Sequence, residues 1–199
     1  MIDPLSHEDI ENVRLSVDSF GFGLLPGMIA PSALKGLQEE AEECKSLASF
    51  AQQSEGLKYN ASITSLGPQA RDFLCSRQLT ELLSDVFGGD FVLTEHRSCL
   101  TFYREGNYLG PHLDQPAEEC AVTILVYVVA VRPVVPSPQT GLELRIYGQE
   151  MTTDRRARLT IPTHAGRIVV GRGSKFWHER PMLGEGESVV ALTGCYREP

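Results

Sequence analysis

The stretch Thr101–Asp114, TFYREGNYLGPHLD, sets a histidine and an aspartate two residues apart, at His112 and Asp114. In a β-strand, residues i and i+2 point to the same face. With Leu113 turned to a core, His112 and Asp114 face one cavity together. A further imidazole from a distant strand, His178, would complete two nitrogens and one carboxylate on one side of a metal. That donor set leaves other coordination positions open and suits non-haem Fe(II) that binds oxygen. Most His-x-Asp pairs are solvated loop residues, so the meaning of this one depends on what surrounds it.

Downstream of Asp90 the chain reads as strands. Phe91–Thr94, Ser98–Arg104, Glu119–Val131, Leu142–Tyr147, Ala157–Ile161, Arg167–Val170, Lys175–Arg180 and Ser188–Tyr196 are the segments, most of them rich in β-branched and aromatic residues. Arg132–Gly141, interrupted by prolines and glycine, is a loop. Upstream the pattern is helical. Ser6 is placed to cap a helix running to about Asp18. Phe20–Leu25 is a strand or loop. Pro31–Gln53 reads as a helix, with Leu34, Leu37, Ala41, Cys44, Ala48 and Ala51 on one side and Glu39, Glu40, Glu42 and Glu43 mainly on the other. Ser54–Gly67 is polar and suits a hairpin or a flap over a site. Pro68–Phe87 gives one or two helices ended by Gly88-Gly89. Helices followed by eight strands predict a mainly β fold with supporting α-helices. The expected form is a double-stranded β-helix, the jelly-roll or cupin-like barrel. One domain spans 1–199, with 1–89 as mainly helical support and 90–199 as the barrel core. Sites in such folds lie in the mouth between the sheets.

Charge and cysteine usage narrow the function classes. Twenty-six acids against eighteen Lys plus Arg give a formal charge of −8, which argues against a nucleic-acid or anionic-membrane partner. Arg155, Arg156 and Arg158 form the one basic cluster and read as a solvated turn. Five cysteines without a Cys-x-x-Cys pair suggest a reduced, cytoplasmic setting rather than a disulfide framework. The polar, acidic start of the chain does not read as a signal peptide. Ala121–Val131, the longest apolar run, is too short to span a bilayer.

Taken in order, these residues resemble the iron- and 2-oxoglutarate-dependent dioxygenases, and within them the prolyl-hydroxylase-like group. Tyr103-Arg104-Glu105-Gly106 followed by Pro111-His112-Leu113-Asp114 is similar to that family's Tyr-x-x-Gly … His-x-Asp segment. Ala121–Tyr127, Gly141–Ile146 and Ala165–Val170 look like its next core strands, and Trp177-His178-Glu179 with Val189–Tyr196 looks like its end. The resemblance covers roughly Asp90–Pro199. It implies His112, Asp114 and His178 as iron ligands, and 2-oxoglutarate and O2 as cosubstrates. It also implies a reaction in which the keto acid is decarboxylated to succinate while a substrate C–H bond is oxidised. Tyr103 and Tyr127 match tyrosines that line the keto-acid pocket; read on their own they are core aromatics.

One position departs from the family pattern. A basic residue usually stands nine to eleven residues after the second histidine, to pair with the distal carboxylate of the keto acid. Here those positions hold Glu187, Ser188 and Val189. Arg180, two residues after His178, shares its strand face and is the first substitute, while Arg145, Arg172 and Lys175 are others. Three readings stay open. One is a 2-oxoglutarate-dependent oxygenase with a relocated anion anchor, acting on a small molecule or an amino-acid side chain. The second is an Fe(II) oxygenase that needs no keto acid, with Arg180 gripping a substrate carboxylate. The third, least favoured, is a metal hydrolase or a silent binding domain.

Overall fold

In the computed structural model of the chain, residues 2–51, 57–133, 140–151 and 153–199 are described. The flap expected over 54–67 and the loop expected over 132–141 therefore lie partly outside the described residues.

The N-terminal half carries four helices: α1 (His7–Phe20), α2 (Pro31–Cys44), α3 (Pro68–Leu74) and α4 (Arg77–Phe87). Between them run four short strands: β1 (Phe22–Leu24), β2 (Ser49–Phe50), β3 (Tyr59–Asn60) and β4 (Ser62–Thr64). Nine more strands follow. They are β5 (Val92–Leu93), β6 (Cys99–Arg104), β7 (Tyr108–His112), β8 (Val122–Val131), β9 (Glu143–Gly148), β10 (Leu159–Pro162), β11 (Ile168–Gly171), β12 (Trp177–Arg180) and β13 (Ser188–Arg197).

The strands form two antiparallel sheets. The larger runs β1-β11-β8-β13-β6-β4-β2 with β5 added on β13, and the smaller runs β10-β9-β12-β7-β3. Side chains from both sheets meet between them, with Tyr103, Tyr127, Val169, Val189 and Ala191 from the larger and Leu144, Ile146 and Ile161 from the smaller. The helices cover the outer face of the larger sheet. Val13, Val17, Leu37, Ala41, Leu79, Leu83 and Val86 pack there on Val122, Ile124, Val126, Val128 and Leu192. β8 is thus covered on both faces, which is why it reads as an unbroken apolar run. Val122, Ile124, Val126 and Val128 go to the helices, Thr123 and Tyr127 go inward, and the alternation breaks at Val129, where the pairing with β13 shifts register.

Local chemistry accounts for the helix ends. The Ser6 hydroxyl accepts from Asp9 N and the Asp9 carboxylate accepts from Ser6 N, a reciprocal cap. Gly21 ends α1 at φ 84°, with the Phe176 ring where a Cβ would stand.

Several expectations change. α2 stops at Cys44, and a 3-10 turn over Lys45–Leu47 leads into β2. Pairing of Ser49 and Phe50 with Ile63 and Ser62 of β4 overrides the helical periodicity that continues through Ala48 and Ala51. Glu40 is buried, not on the solvent side of its helix. Its carboxylate accepts from Gln69 N at 2.6 Å and Ala70 N at 2.9 Å. The cap residue of α3 is Gly67, which has no side chain to do this, and a Cβ there would meet Glu40 Cδ at 2.3 Å. Segment 1–89 does more than support, since β1, β3 and β4 pair with β11, β7 and β6. Finally, Cys120 and Cys195 are joined by a disulfide, leaving Cys44, Cys75 and Cys99 free. The sequence pattern suggests no disulfide framework; one bridge forms because the register of β8 on β13 brings the segment just before β8 against Cys195.

Candidate metal centre

His112 ends β7 and His178 lies in β12, and the two are direct partners in the ladder. Their ring centroids are 4.2 Å apart. Asp114 lies past the end of β7. Its N–H donates to Gly173 O at 3.0 Å, and this bond carries its side chain back over the histidines. The sequence expectation of a regular strand through both ligands is therefore replaced by a strand end plus one tertiary backbone bond, with the same outcome. Asp114 Oδ1 stands 3.4 Å from His112 Nε2 and 3.7 Å from His178 Nε2. One ligand atom from each residue lies within 4.8 Å of the others. With metal bonds of about 2.1 Å, donors at right angles stand about 3 Å apart, so a small inward shift closes this set on one ion.

Both imidazoles are held in the tautomer that metal binding requires. His112 Nδ1 lies 2.9 Å from Gly110 O, and His178 Nδ1 lies 2.9 Å from Phe176 O. A carbonyl only accepts, so each Nδ1 carries the proton and each Nε2 keeps its lone pair toward Asp114. Burial, reinforced by the adjacent His112, brings the His178 pKa down to about 4, so its ring is neutral at pH 7. Burial opposes the charge of Asp114. The histidines and the Thr123 hydroxyl outweigh it and hold the carboxyl well below the usual carboxylate range.

The triad lies in the wall of a cavity of about 630 Å³ between the sheets. Leu57, Leu109, Leu125, Leu144 and Trp177 make much of the wall apolar, as expected of a small-molecule site. Arg180 lines it too and is 4% exposed. Its Nη1 donates to Thr163 Oγ1 at 3.1 Å and to Gly141 O at 3.3 Å. Its guanidinium stands 5.3 Å from the Tyr103 ring centre and 5.2 Å from that of Tyr127. Among the described residues no carboxylate forms an ion pair with it. The Tyr127 hydroxyl is buried and has no hydrogen-bond partner among the described residues. Burial, opposed by Arg180, pushes the Tyr103 hydroxyl up to about 12. A buried cation without a counter-charge and a buried hydroxyl without a partner can each accept a partner of matching chemistry, because each left alone carries a desolvation cost.

The other cations named from the sequence are engaged or point away. Arg145 pairs with Glu143 and Glu179 on the outer side of the smaller sheet. Arg172 stacks on Phe87 at 5.2 Å, and Lys175 is exposed. Glu187 has a structural task, accepting from Thr140 Oγ1, Gly141 N and Gly184 N. Reading the sequence missed Tyr59, Arg97, Thr123, Gly173 and the Cys120–Cys195 pair around this cavity. Thr123 alone left a signal, as the one polar side chain inside the apolar run 121–131.

No protein-family model matches the chain, and no curated protein does. Solved structures resemble it closely in shape. A prolyl-4-hydroxylase from Pseudomonas putida superposes with TM-score 0.69 at 18% identity, over 96% of this chain and 99% of that one. The non-haem α-ketoglutarate-dependent epimerase SnoN of nogalamycin biosynthesis gives 0.76 at 13%, over 97% and 82%. HygX from Streptomyces hygroscopicus, solved with nickel, 2-oxoglutarate and hygromycin B, gives 0.66 at 14%, over 98% and 88%. At these identities the likeness is one of fold, and the chain has the fold of the iron- and 2-oxoglutarate-dependent oxygenases.

Proposed function

We propose that the protein is a non-haem Fe(II) oxygenase that uses 2-oxoglutarate and O2 to oxidise a small molecule or an amino-acid side chain. The observation that carries this reading is the buried, unpaired Arg180 on the same cavity as the His112–Asp114–His178 set, with its guanidinium over the ring of Tyr127, whose hydroxyl has no partner among the described residues. HygX, with its nickel and 2-oxoglutarate, supports it by similarity of fold.

The side chains present fit the two groups. His112 and His178 offer Nε2 lone pairs and Asp114 offers one charge, so a divalent ion held there keeps a net positive charge that favours an acidic co-ligand. Arg180, with Tyr127 and Tyr103 beside it, would take the far carboxylate of a keto acid. When bound, iron and keto acid supply the oxidising chemistry. The chain's part is to fix the ligands, neutralise the co-ligand's charge, and keep water from the reacting centre with the apolar wall. A net charge of −8 speaks against nucleic acid as the substrate.

Anaerobic titration tests this. Apo-protein receives Fe(II) and then 2-oxoglutarate while visible absorption is followed. A weak charge-transfer band that saturates with keto acid is expected. His112→Ala and Asp114→Ala should remove it, and Arg180→Ala should shift its midpoint to higher keto-acid concentration. Iron binding without a band would transfer Arg180 to a substrate carboxylate and favour an oxygenase that needs no keto acid. Absence of iron binding would remove the metal reading.

The proposal includes a cytoplasmic location. Cytosolic disulfides are mainly transient or redox-responsive, so Cys120 and Cys195 should be found as thiols in intact protein trapped by alkylation at lysis. No helix among the described residues is long and apolar enough to cross a membrane.

A further inference from the structure

Asp114 uses its two carboxylate oxygens differently. Oδ1 faces both histidine Nε2 atoms, whereas Oδ2 accepts from Thr123 Oγ1 at 2.6 Å. Thr123 is 1% exposed and sits in the middle of the larger sheet. It is paired with Ile168–Gly171 on one side, through Gly171, and with Cys195 on the other. Cys195 is itself bonded to Cys120, three residues before Thr123. The hydroxyl is therefore fixed by backbone on both sides. On the opposite flank lies Gly173, whose carbonyl takes the Asp114 N–H at 3.0 Å. A Cβ on Gly173 would stand 1.9 Å from Asp114 Oδ2 and 2.7 Å from Thr123 Oγ1. Only a hydrogen atom fits there while the Thr123–Asp114 bond exists.

Resting on the metal reading above, we infer that Thr123 and Gly173 are positioning residues that force Asp114 to bind the metal through Oδ1 alone. A carboxylate free to rotate can give both oxygens to one ion. Here the second oxygen is spent on a hydroxyl, and rotation toward the metal would break a charge-assisted bond and leave the Thr123 hydroxyl buried without its acceptor. The consequence is one more open coordination position, which the metal needs if a chelating co-ligand and O2 are to bind together. Gly173 makes room for this arrangement, and Thr123 holds it.

The test uses full-length protein loaded anaerobically with Co(II), whose visible spectrum reports coordination number without turnover. Thr123→Val keeps the shape and removes the hydroxyl; Thr123→Ser keeps the hydroxyl. Partners of this kind typically contribute 10–100-fold to metal affinity. The expected result is a roughly 10–100-fold weaker Co(II) Kd for Thr123→Val with a changed visible spectrum, and recovery of both in Thr123→Ser. Gly173→Ala should change the spectrum in the same sense, because its methyl displaces Oδ2 from Thr123. A Thr123→Val protein that binds Co(II) with parental affinity and spectrum overturns the inference while leaving the metal site intact. A destabilised variant with an unchanged spectrum overturns it too, since a merely structural threonine predicts that pattern. A parent that binds no cobalt overturns this inference and the metal reading together.

Discussion

Replacing Tyr127 by phenylalanine should act in opposite directions on the free protein and on its ligand complex. Tyr127 is fully buried, and its hydroxyl has no partner among the described residues. An unsatisfied buried hydroxyl costs about 1–3 kcal/mol, so Tyr127→Phe should stabilise the metal-free protein by about 1–2 kcal/mol. For a chain of this length each kcal/mol moves the melting temperature by roughly 2–4 °C. A rise of roughly 2–8 °C in a thermal melt is the expected reading. The ligand complex should lose what the free protein gains. A hydrogen bond to a charged carboxylate contributes about 1.5–3 kcal/mol, which corresponds to roughly a 10–150-fold weaker Kd for 2-oxoglutarate. The second measurement is the anaerobic titration of the Fe(II) protein. Two results refute the reasoning: a lower melting temperature in the metal-free variant, which would mean that the hydroxyl is satisfied, or an unchanged Kd, which would mean that the ligand does not use it.

The remaining predictions concern charge and the fold. Arg180→Leu should weaken 2-oxoglutarate by about 2–5 kcal/mol, the usual cost of stripping one partner from a buried charge pair. The double variant Val189→Arg/Arg180→Leu should recover at least tenfold of that loss in the same titration. Glu187→Gln should lower stability at pH 7 by about 1–2 kcal/mol, since three donors converge on this carboxylate. Burial opposes the Glu187 charge, but those hydrogen bonds hold its pKa below the usual 4.5. Its contribution is therefore present above that value and is lost as pH falls through the lowered one. Urea melts of both proteins should converge under acid conditions. Cys195→Ser should destabilise the oxidised protein by about 4 kcal/mol, because the bond closes a span of 75 residues. A thiol titration of the parent, oxidised after purification and then denatured, should find three thiols.

The β half of the fold was legible because its strands are long and rich in β-branched residues, and because His112, Asp114 and His178 fall in it at recognisable positions. What escaped notice was short or tertiary. β1 to β4 are two or three residues each, too brief for alternation to register. β2 begins inside a periodicity that reads as helix, and only its pairing with β4 decides the matter. Arg180 was legible as facing inward, but its lack of a counter-charge depends on where Glu143, Glu179 and Glu187 point. Each of these is engaged elsewhere, by Arg145, by Tyr147 and Arg145, and by the loop amides around Gly141 and Gly184. Thr123 and Gly173 illustrate the harder case. Neither residue type is unusual in a strand or a turn, and their meaning comes from one Cβ position that only the assembled sheets define.

The missing base on the last strand and the presence of Arg180 are two sides of one arrangement. Val189 is the ladder partner of Tyr103, and Ala191 is the partner of Tyr127. A cation entering from position 189 would thus emerge among these two tyrosines. Arg180 comes from β12 of the facing sheet, yet its guanidinium lies over the same two rings at nearly equal distances. The charge reaches one floor by either route, provided the other route is vacated. Val189 and Ala191 are small enough to vacate it; both are buried, and Ala191 lines the cavity. Glu187 at the neighbouring position would oppose an anion if it faced inward, but the Thr140 hydroxyl and two loop amides turn it away. The cavity end therefore keeps a net positive charge although the last strand contributes none. On the proposed reading, a carboxylate-binding floor depends on where the guanidinium arrives, not on which strand supplies it, so a last strand without a base is compatible with an anion site at Arg180.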